Sequence, residues 1–425
     1  MPGEPLKFCL VTTFYPPYHF GGDGVFVYRL AEALAQRGHR VDVVHSADAY
    51  RALHPADPEV AFDQHPNVRR HVLESPRRTL PLLAAHQLGS PALYGRRLRT
   101  ILNGGGYDVI HYHNVSLLGG PGVLRYGRAV KLYTAHEYWL VCPTHVLFAF
   151  DREACDRRRC VRCTLHARRP VQWWRYTGLL HRCLRHVDQL LMPSRFALER
   201  HRADGLDMPM AVLPHFVPPP RAAADCPARP RPFFLCVGRL EKLKGVQDLI
   251  ALFRDYRAAD LVIAGSGGYA AELRQMANGL PHVQFLGAVH PDILSGLYRQ
   301  AIALLAPSLC YETFGLTVAE SLAHGTPAVV RRIGALTELI DESGAGFTYA
   351  TPDECRDALE RLQTVPGLRD ELGRRGRLFA DASWTCDVHL NCYLDVIAGI
   401  QSEHVTRMTG RDPLPQHGGN DGPNR

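Results

Sequence analysis

Short apolar runs alternate along the chain with longer segments of helical spacing, and turns that contain glycine separate them. Residues 7–13 form an apolar run that predicts a first strand, residues 25–36 have helical spacing, and residues 41–44 predict a second strand. The same order of strand, turn and helix returns from residue 233 to about residue 380. Repeated units of this kind place a parallel sheet between layers of helices. The pattern therefore predicts an α/β protein.

Two domains are predicted, because 425 residues exceed the size at which a single hydrophobic core stops growing. Residues 218–232 are rich in proline and alanine and lack periodicity, which predicts a linker between residues 1–217 and residues 233–383. A last helical segment covers residues 384–402, and the polar residues 403–425 are predicted to be disordered.

Composition narrows the class of protein. An apolar content of 46% and a charged content of 21% are ordinary for a soluble globular protein. No run approaches 18 apolar residues, so a membrane-spanning helix is excluded, and residues 1–6 lack the basic and apolar regions of a signal peptide. We therefore expect a cytoplasmic protein. The net charge of +7 is mild and fits an anionic substrate or an anionic lipid surface.

The stretch from Ser308 to Glu320 follows an apolar run at residues 301–306 that predicts a buried strand, and Gly315 then opens a segment of helical spacing. A strand, a glycine turn and a helix N-terminus form an anion site, because backbone N–H groups there lack partners and the helix dipole favours negative charge. Two carboxylates in this stretch, Glu312 and Glu320, cannot hold phosphate, and they lie far enough apart to touch two parts of one long ligand. The pattern indicates a ligand with hydroxyls at both ends and anionic charge between them, as in a nucleotide-sugar.

Two motifs carry a resemblance to a known family. The spacing Glu-x7-Glu with Phe-Gly-Leu inside it, from Glu312 to Glu320, resembles the signature of the retaining glycosyltransferases of family 4, which have the two-domain fold called GT-B. Upstream, residues 238–245 read Gly-Arg-Leu-Glu-Lys-Leu-Lys-Gly and look like the diphosphate loop of that family. The resemblance implies two Rossmann-like, doubly wound domains that face each other across a cleft. It also implies that the last helix crosses back onto the first domain.

The resemblance implies a role for each matching residue. Glu312 would hold sugar hydroxyls and Glu320 the ribose, while Arg239 and Lys244 would hold the diphosphate. A guanidinium can bind two phosphate oxygens and an ammonium adds a point charge, so these cations and a helix dipole can stabilise the leaving diphosphate without a catalytic metal ion. No protein nucleophile is assigned. The other implied donor-binding positions are glycines and backbone amides of the two domains: Gly21, Gly22, Gly238, Gly265, Phe314, Gly315 and Leu316.

In the first domain, residues 107–114 and residues 130–139 each contain a short apolar run that ends in polar side chains. Ligands gather at the carboxyl ends of parallel strands, so His113, Asn114 and His136 are predicted to converge at a site. By resemblance, His136 occupies the Thr-x-His position of the family, whose imidazole lies beside the donor sugar. Histidine suits this position because its ring can donate a hydrogen bond while it stays nearly uncharged at neutral pH. His113 is the second candidate, and His113 and Asn114 are predicted on the acceptor side.

Four cysteines with the spacing Cys-x12-Cys-x4-Cys-x2-Cys occur in a segment with little apolar periodicity: Cys142, Cys155, Cys160 and Cys163. Four thiolates satisfy a structural Zn²⁺ ion, and a loop without its own core would gain folding energy from one. Free thiols and disulfides are the alternatives, of which disulfides are disfavoured in a reducing compartment. A subset of family 4 chains with a His-Asp/Glu-Tyr-Trp strand end looks similar here. The cluster leaves no open position for a catalytic metal.

The same segment is strongly basic. Seven arginines and two acidic residues lie between residues 152 and 169, and Trp173 and Trp174 follow soon after. A basic loop with aromatic residues beside it predicts peripheral contact with an anionic membrane, such as the inner membrane face, or with a phosphorylated acceptor. A solvated loop followed by an amphipathic helix over residues 171–187 is the alternative. No nucleic-acid motif accompanies the arginines, so nucleic-acid binding is not predicted.

The expected reaction moves a hexose-type sugar from a nucleoside-diphosphate-sugar to an acceptor hydroxyl, with retention of anomeric configuration. The acceptor could be a glycan, a lipid-linked molecule or a small molecule, because residues 46–106 show only one predicted helix, at about residues 91–102, and no pattern that identifies it. A nucleotide-sugar epimerase or a glycogen-type phosphorylase of the same fold is an alternative, although no motif for a lysine-bound pyridoxal is present. A non-enzymatic nucleotide- or polyanion-binding protein is an alternative of a different class.

Overall fold

The backbone forms two parallel sheets, one in each half of the chain, in a computed structural model that describes residues 4–54, 58, 62–221 and 227–409. The strands in the described residues are β1 (Lys7–Val11), β2 (Arg40–Ser46), β3 (Val68–Leu73), β4 (Val109–Tyr112), β5 (Val130–Thr134), β6 (Phe148–Ala149), β7 (Glu153–Ala154), β8 (Gln189–Met192), β9 (Met210–Val212), β10 (Phe233–Val237), β11 (Asp260–Ala264), β12 (Val283–Gly287), β13 (Leu304–Ala306), β14 (Ala328–Arg331) and β15 (Gly346–Tyr349).

Helices connect these strands and cover the sheets. They are α1 (Gly22–Gln36), α2 (Ala47–Leu53), α3 (Thr79–Leu83), α4 (Gly95–Gly104), α5 (Cys160–His166), α6 (Leu179–Leu184), α7 (Arg195–Ala203), α8 (Val246–Phe253), α9 (Ala270–Met276), α10 (Pro291–Gln300), α11 (Leu316–Ala323), α12 (Gly334–Ser343), α13 (Pro352–Thr364), α14 (Leu368–Ser383) and α15 (Cys386–Thr409). Short 3₁₀ turns lie at Ala92–Tyr94, Gly120–Arg125, Tyr138–Leu140, Trp173–Tyr176 and Lys242–Lys244, and one π turn lies at Ala84–Leu88.

Both sheets are wound outward from their first strand. The order is β3-β2-β1-β4-β5-β8-β9 in the first sheet and β12-β11-β10-β13-β14-β15 in the second, and all pairs are parallel. Only β6 and β7 pair antiparallel among the described strands, in a small separate hairpin. Two Rossmann-like domains of α/β class are therefore confirmed.

Both faces of each sheet are buried, which explains why the central strands are continuously apolar. In β1, Cys9 and Val11 pack into one core while Phe8 and Leu10 pack into another on the opposite face. The second sheet repeats this arrangement, since neighbouring residues of β10 belong to two separate cores. Parallel sheets with helices on both faces require this pattern.

The chain order reverses beside the first strand of each sheet, between β1 and β4 and between β10 and β13. Loops leave these neighbouring strands in opposite directions, so a crevice opens at their carboxyl ends. The loops that follow these four strands carry most of the predicted site residues, among them Gly22, Asn114, Lys244 and Glu312. The topology thus places the predicted residues where a ligand site should form.

The last helix returns to the first domain. Leu390, Tyr393 and Ile397 of α15 pack into the core below β1, and the Val217 N–H donates to the Trp384 carbonyl at the crossing point. The helix extends beyond residue 402, where disorder was predicted to begin, and reaches Thr409. The rest of the predicted tail, and residues 222–226 of the predicted linker, lie outside the described residues.

Two local predictions are wrong. The amphipathic helix that was the alternative for residues 171–187 is a 3₁₀ turn and a separate α6, because Gly178 adopts a left-handed φ of +68° between them. Residues 46–106 hold more structure than one helix, including α2, α3 and β3. Apolar side chains are sparse in β3 because it is an edge strand, so no strand pattern was visible. Among the described helices, none has both the length and the apolar character needed to cross a bilayer.

Candidate active site

An ion pair between Lys244 and Glu312 lies at the switch point of the second domain. The Lys244 amine donates to Glu312 Oε1 at 2.6 Å, and the Ser308 hydroxyl donates to the same oxygen at 2.8 Å. Burial alone would lower the pKa of the Lys244 amine, but attraction to the carboxylate raises it overall. Burial alone would raise the pKa of the Glu312 carboxyl, but attraction to Lys244 lowers it overall. Both groups are therefore charged near neutral pH.

Close backbone packing brings these two loops together. Gly245 follows the 3₁₀ turn of Lys244 with a φ of +73°, and a Cβ at this position would lie 2.1 Å from the Pro307 carbonyl oxygen. The Leu309 N–H also donates to the Leu243 carbonyl at 2.8 Å. Only glycine allows this approach, so the loop after β10 rests directly against the loop after β13.

Gly238 and Gly265 end the neighbouring strands β10 and β11. Gly265 has a φ of +150°, and a Cβ there would lie 1.8 Å from the Gly238 carbonyl oxygen. Gly238 has a φ of +152°, and its own Cβ would meet open space. Arg239 follows directly, pairs with Glu241 at 2.9 Å and keeps 57% of its side chain exposed. An exposed guanidinium at a strand end is available to a ligand.

Two helix N-termini from different domains meet beside this pair. Gly315, with a φ of +104°, caps the start of α11, and Gly21, with a φ of +131°, caps the start of α1. A Cβ added at Gly22 would lie 3.6 Å from Leu316 Cδ1, so the glycine loop of the first domain lies beside the side chain of the first residue of α11. The first-turn N–H groups of a helix lack partners within it, and both helix dipoles favour negative charge at the same place.

Hydrogen bonds join the domains around this point. The Thr313 hydroxyl donates to the His136 carbonyl at 2.8 Å, and the Tyr138 hydroxyl donates to the Glu312 carbonyl at 3.1 Å. Phe314 is buried and packs edge-on against His215, with ring centroids 5.5 Å apart. The stretch before α11 therefore contacts the strand ends of the first domain directly.

Glu320 lies within α11, whereas Glu312 lies in the loop before it, and Glu320 has partners from both domains. Its carboxylate is 3.5 Å from the Arg29 guanidinium of α1 and accepts a hydrogen bond from the Tyr298 hydroxyl at 3.3 Å. Burial raises the pKa of Glu320, and Arg29 and Tyr298 oppose this shift. The role of Arg29 and Tyr298 depends on contacts between distant segments, and no sequence motif indicated either residue.

Three histidines form a chain of hydrogen bonds behind the site. His136 Nε2 lies 2.9 Å from His113 Nδ1, and His136 Nδ1 lies 3.1 Å from His215 Nε2. Both ring nitrogens of His136 are thus engaged, which differs from the expectation of a ring free to bind a sugar. Burial lowers the pKa of His136 to about 3 and places the pKa of His113 and His215 well below the ordinary value. The chain is neutral at pH 7.

His113 is buried, so it does not face an acceptor as predicted, whereas Asn114 belongs to a polar network at the glycine loop. The Asn114 amide donates to Asp23 Oδ2 and to Glu137 Oε1, both at 3.2 Å. Burial and the neighbouring Glu137 carboxylate raise the pKa of Asp23 to about 6. His145 Nδ1 lies 2.8 Å from Glu137 on the far side. Asp23 was not predicted, although its position directly after Gly22 could have indicated it.

The four predicted cysteines lie outside this site. They line a small cavity beneath the loop that follows the Tyr138–Leu140 turn. Their loop still reaches the second domain, because Asp151 lies 3.7 Å from the Lys242 amine.

Chemically, the site combines two cations, two helix N-termini and two carboxylates. The cations and N–H groups suit an anion of high charge, and the carboxylates, separated along α11, suit hydroxyl groups on either side of it. The arrangement therefore suits an anionic, hydroxyl-rich ligand.

Comparison with known proteins identifies the class of protein. Residues 231–364 match the family described as Glycosyl transferases group 1, and residues 20–221 match Glycosyltransferase Family 4. Over 388 residues, the chain is 28% identical to the D-inositol 3-phosphate glycosyltransferase of Arthrobacter sp. strain FB24. The aligned region covers 85% of this chain and 86% of that protein. It is 34% identical over 160 residues to an uncharacterized glycosyltransferase of Methanocaldococcus jannaschii, which covers 35% of this chain and only 41% of that protein.

Solved structures share the fold. The sucrose-phosphate synthase of Thermosynechococcus elongatus superposes with a TM-score of 0.71 at 20% identity and covers 93% of this chain and 100% of that chain. Anabaena Alr3699/HepE, solved in complex with UDP-glucose, superposes with a TM-score of 0.63 at 15% identity. The superposition covers 94% of this chain and 100% of that chain. The protein is thus a glycosyltransferase of the GT-B class. It belongs to glycosyltransferase family 4, as the two motifs predicted.

Proposed function

We propose that the protein transfers a hexose-type sugar from a nucleoside-diphosphate-sugar to an acceptor hydroxyl, with retention of configuration. The observation that carries this proposal is the position of Gly22 beside the Leu316 side chain, which brings the start of α1 close to the start of α11, near the Lys244–Glu312 pair. Neither domain alone provides this concentration of positive potential. A diphosphate carries the charge and the size to use all of it.

The diphosphate binds to Lys244, Arg239 and the N–H groups of Gly315 and Leu316, with the glycine loop at Gly22 closing over it. Lys244 is already positioned by Glu312, and Arg239 is exposed in the same loop after β10. These groups neutralise the charge that develops on the leaving diphosphate, so the proposed mechanism draws its stabilisation from fixed cations and dipoles.

The two carboxylates hold the donor on either side of the diphosphate. Glu312 uses Oε1 for Lys244 and Ser308, which leaves Oε2 as the acceptor for a sugar hydroxyl. Glu320 is oriented by Tyr298 and Arg29 and accepts from the ribose hydroxyls. Since Arg29 belongs to the first domain, ribose recognition requires both domains.

The reaction proceeds on one face of the sugar. The bond from the anomeric carbon to the diphosphate oxygen breaks, the bond from that carbon to the acceptor oxygen forms, and the acceptor proton passes to the leaving diphosphate. No residue forms a covalent intermediate. His136 acts in this scheme through its carbonyl, which holds Thr313 and so the loop between Glu312 and Phe314.

We also propose that the first domain binds peripherally to an anionic membrane surface, where it would encounter the acceptor. Trp173 is 62% exposed, Tyr176 is 57% exposed and Leu88 is 61% exposed, and the π turn that contains Leu88 packs against their 3₁₀ turn. The arginine-rich segment at residues 152–169 lies directly before them. Exposed aromatic residues beside a cationic segment favour insertion at an anionic lipid interface.

A panel of UDP-, GDP- and ADP-hexoses tests the proposed activity. We expect one donor to be turned over, with slow hydrolysis in the absence of acceptor, and NMR of the product should show the anomeric configuration of the donor. Interconversion of donors without acceptor would instead identify an epimerase. Tight nucleotide binding with no turnover of any donor would identify a non-enzymatic binding protein.

A further inference from the structure

One small cavity outside the candidate active site is lined by all four cysteines of the loop, Cys142, Cys155, Cys160 and Cys163. Its volume is about 20 Å³, which accommodates one ion or one water molecule. All four thiols are free of disulfide bonds. Within the described ranges, no three histidine, cysteine, aspartate or glutamate side chains already have the spacing of a metal site. The four cysteines line one cavity, and their sulfurs would have to move closer together to bind a metal ion.

The backbone of this loop is strained. Six non-glycine residues have positive φ among the described residues, and five of them lie in this loop: His145, Leu147, Phe150, Asp151 and Arg168. Such conformations are costly for residues with a Cβ and persist only when the surroundings fix them. The local core is small, since Tyr138, Cys142 and Leu147 are its only buried members among the described residues. The conformation thus calls for a further source of stabilisation.

The charge around the cavity is of the sign that a thiolate site requires. A divalent ion with four thiolates carries a net charge of −2. The buried Arg175 guanidinium donates to the Cys142 carbonyl at 3.5 Å, and the Arg200 guanidinium donates to the Cys155 carbonyl at 2.9 Å. Seven arginines between residues 152 and 169 add to this field. A buried anionic centre is tolerated when cations of this kind lie beside it.

We propose that Cys142, Cys155, Cys160 and Cys163 bind one Zn²⁺ ion as a tetrahedral four-thiolate site that fixes the loop. Each thiol loses its proton to solvent as its sulfur binds the metal, and no oxidation or reduction is involved. The ion would join the turn after Tyr138, the β6–β7 hairpin and α5. The proposal does not depend on the proposed reaction.

The site would also support the contact between the domains. The Cys142 N–H donates to the Tyr138 carbonyl at 2.7 Å, and the Tyr138 hydroxyl donates to the Glu312 carbonyl. Asp151, at the tip of the β6–β7 hairpin, pairs with Lys242. A loop held by metal keeps both of these contacts in place.

The full-length protein, purified without chelator, tests the proposal by elemental analysis. We expect one zinc per chain. Metal-free protein titrated with Co²⁺ should develop the visible bands of tetrahedral cobalt and a thiolate charge-transfer band, with an end point at one equivalent. Cys160→Ser and Cys163→Ser should each lower metal affinity at least tenfold. The control Cys392→Ser changes an exposed cysteine on α15 and should leave metal content unchanged.

Alkylation of the unmodified chain serves as a test that does not rely on variant folding. The four cysteines should be protected by zinc and become reactive after chelator, whereas exposed Cys392 should react in both states. Absence of zinc together with absence of cobalt bands would overturn the proposal. So would full metal content in Cys163→Ser, or disulfides among the four cysteines in freshly purified protein.

Discussion

The Lys244 amine lies 2.6 Å from Glu312 Oε1, although the two residues belong to loops that follow different strands. Each group keeps the other charged, since the pKa of Lys244 is raised by Glu312 and the pKa of Glu312 is lowered by Lys244. A diphosphate offers Lys244 a stronger anionic partner than one carboxylate. In the proposed site, Lys244 therefore exchanges part of its contact with Glu312 for the diphosphate, while Glu312 Oε2, which neither Lys244 nor Ser308 uses, accepts a sugar hydroxyl.

Replacement of Lys244 tests this exchange. We expect Lys244→Ala to lower kcat by about 10²–10³-fold, the range measured when one transition-state charge partner is removed. The loss also leaves the Glu312 carboxylate uncompensated beside the diphosphate, so the KM for donor should rise. Steady-state kinetics with the identified nucleotide-sugar measures both constants.

Lys242→Ala is the matched control, because Lys242 lies on the same 3₁₀ turn and its amine pairs with Asp151 instead. This variant should keep kcat within about threefold, since exposed ion pairs contribute about 1 kcal/mol or less. If Lys244→Ala turned over at the normal rate, the assigned role of Lys244 would be wrong. Thermal unfolding of Lys242→Ala should remain close to that of the unmodified protein, whereas Lys244→Ala should unfold at a lower temperature because Glu312 loses its partner.

The sequence was sufficient to predict the two-domain parallel architecture and the four strand-end loops that form the site. Apolar runs show buried parallel strands clearly, and glycines such as Gly245 and Gly265 mark close approach of the backbone, so both kinds of signal are local. The motifs also selected Lys244 and Glu312 as site residues, although they did not predict the ion pair between them. Each of these features could be predicted because it depends on the sequence of a single short segment.

Features that depend on contacts between distant segments were missed. Arg29 is an ordinary helix residue until the fold places α1 beside Glu320. The engagement of both His136 nitrogens could not be predicted, because His215 comes from a different strand end. His215 itself follows β9, so the strand-end rule that selected His113 could have selected it as well.

The ion pair between Arg29 and Glu320 predicts a dependence of donor binding on both domains. Arg29→Met should raise the donor KM several-fold and change kcat little, because Arg29 orients Glu320, and the proposed contact of Glu320 with the ribose is made equally in the ground state and the transition state. Arg37→Met is the control, since Arg37 follows the end of the same helix and pairs with Asp387. An effect of equal size in both variants would show that the helix position matters and not the contact with Glu320.

Buried histidines predict loss of stability in mild acid. Burial lowers the pKa of His136 to about 3 and that of His389 to about 4, against 6.5 in the unfolded chain. Between these values the unfolded state binds more protons, so stability falls as pH decreases below 6.5 and is insensitive to these groups above it. Each histidine contributes up to about 1.4 kcal/mol per pH unit, and Asp23, with a raised pKa of about 6, opposes the trend.

Chemical denaturation at pH 7.5 and pH 5 measures this effect. In His389→Gln the loss between the two values should be smaller by up to about 2 kcal/mol, because one depressed histidine has been removed. A stability that rises toward pH 5 would contradict the histidine account.

Exposed Trp173 and Tyr176 predict binding to anionic vesicles. The double variant Trp173→Ala/Tyr176→Ala should bind vesicles of phosphatidylglycerol at least about tenfold more weakly. Burial of the apolar surface of each ring in the lipid contributes about 1.5 kcal/mol or more to the free energy of binding. Co-sedimentation at low and high salt measures the affinity and its electrostatic part. Leu378→Ala removes an equally exposed apolar side chain from α14 of the second domain and should have no effect. Equal binding to neutral phosphatidylcholine would contradict the proposed role of charge.

A methyl group added at Gly265 is predicted to lower stability more than one added at an unhindered glycine. Its φ of +150° is unfavourable for any residue with a Cβ, and the added atom would lie 1.8 Å from the Gly238 carbonyl oxygen. Gly265→Ala should therefore destabilise the second domain by about 3 kcal/mol or more and displace the loop that carries Arg239. Gly279→Ala is the control, because Gly279 has a φ of +79° but open space around its Cβ. That variant should cost only about 1 kcal/mol, the price of the backbone conformation alone. Denaturant unfolding of both variants measures the difference, and equal losses would show that contact with Gly238 does not constrain this turn.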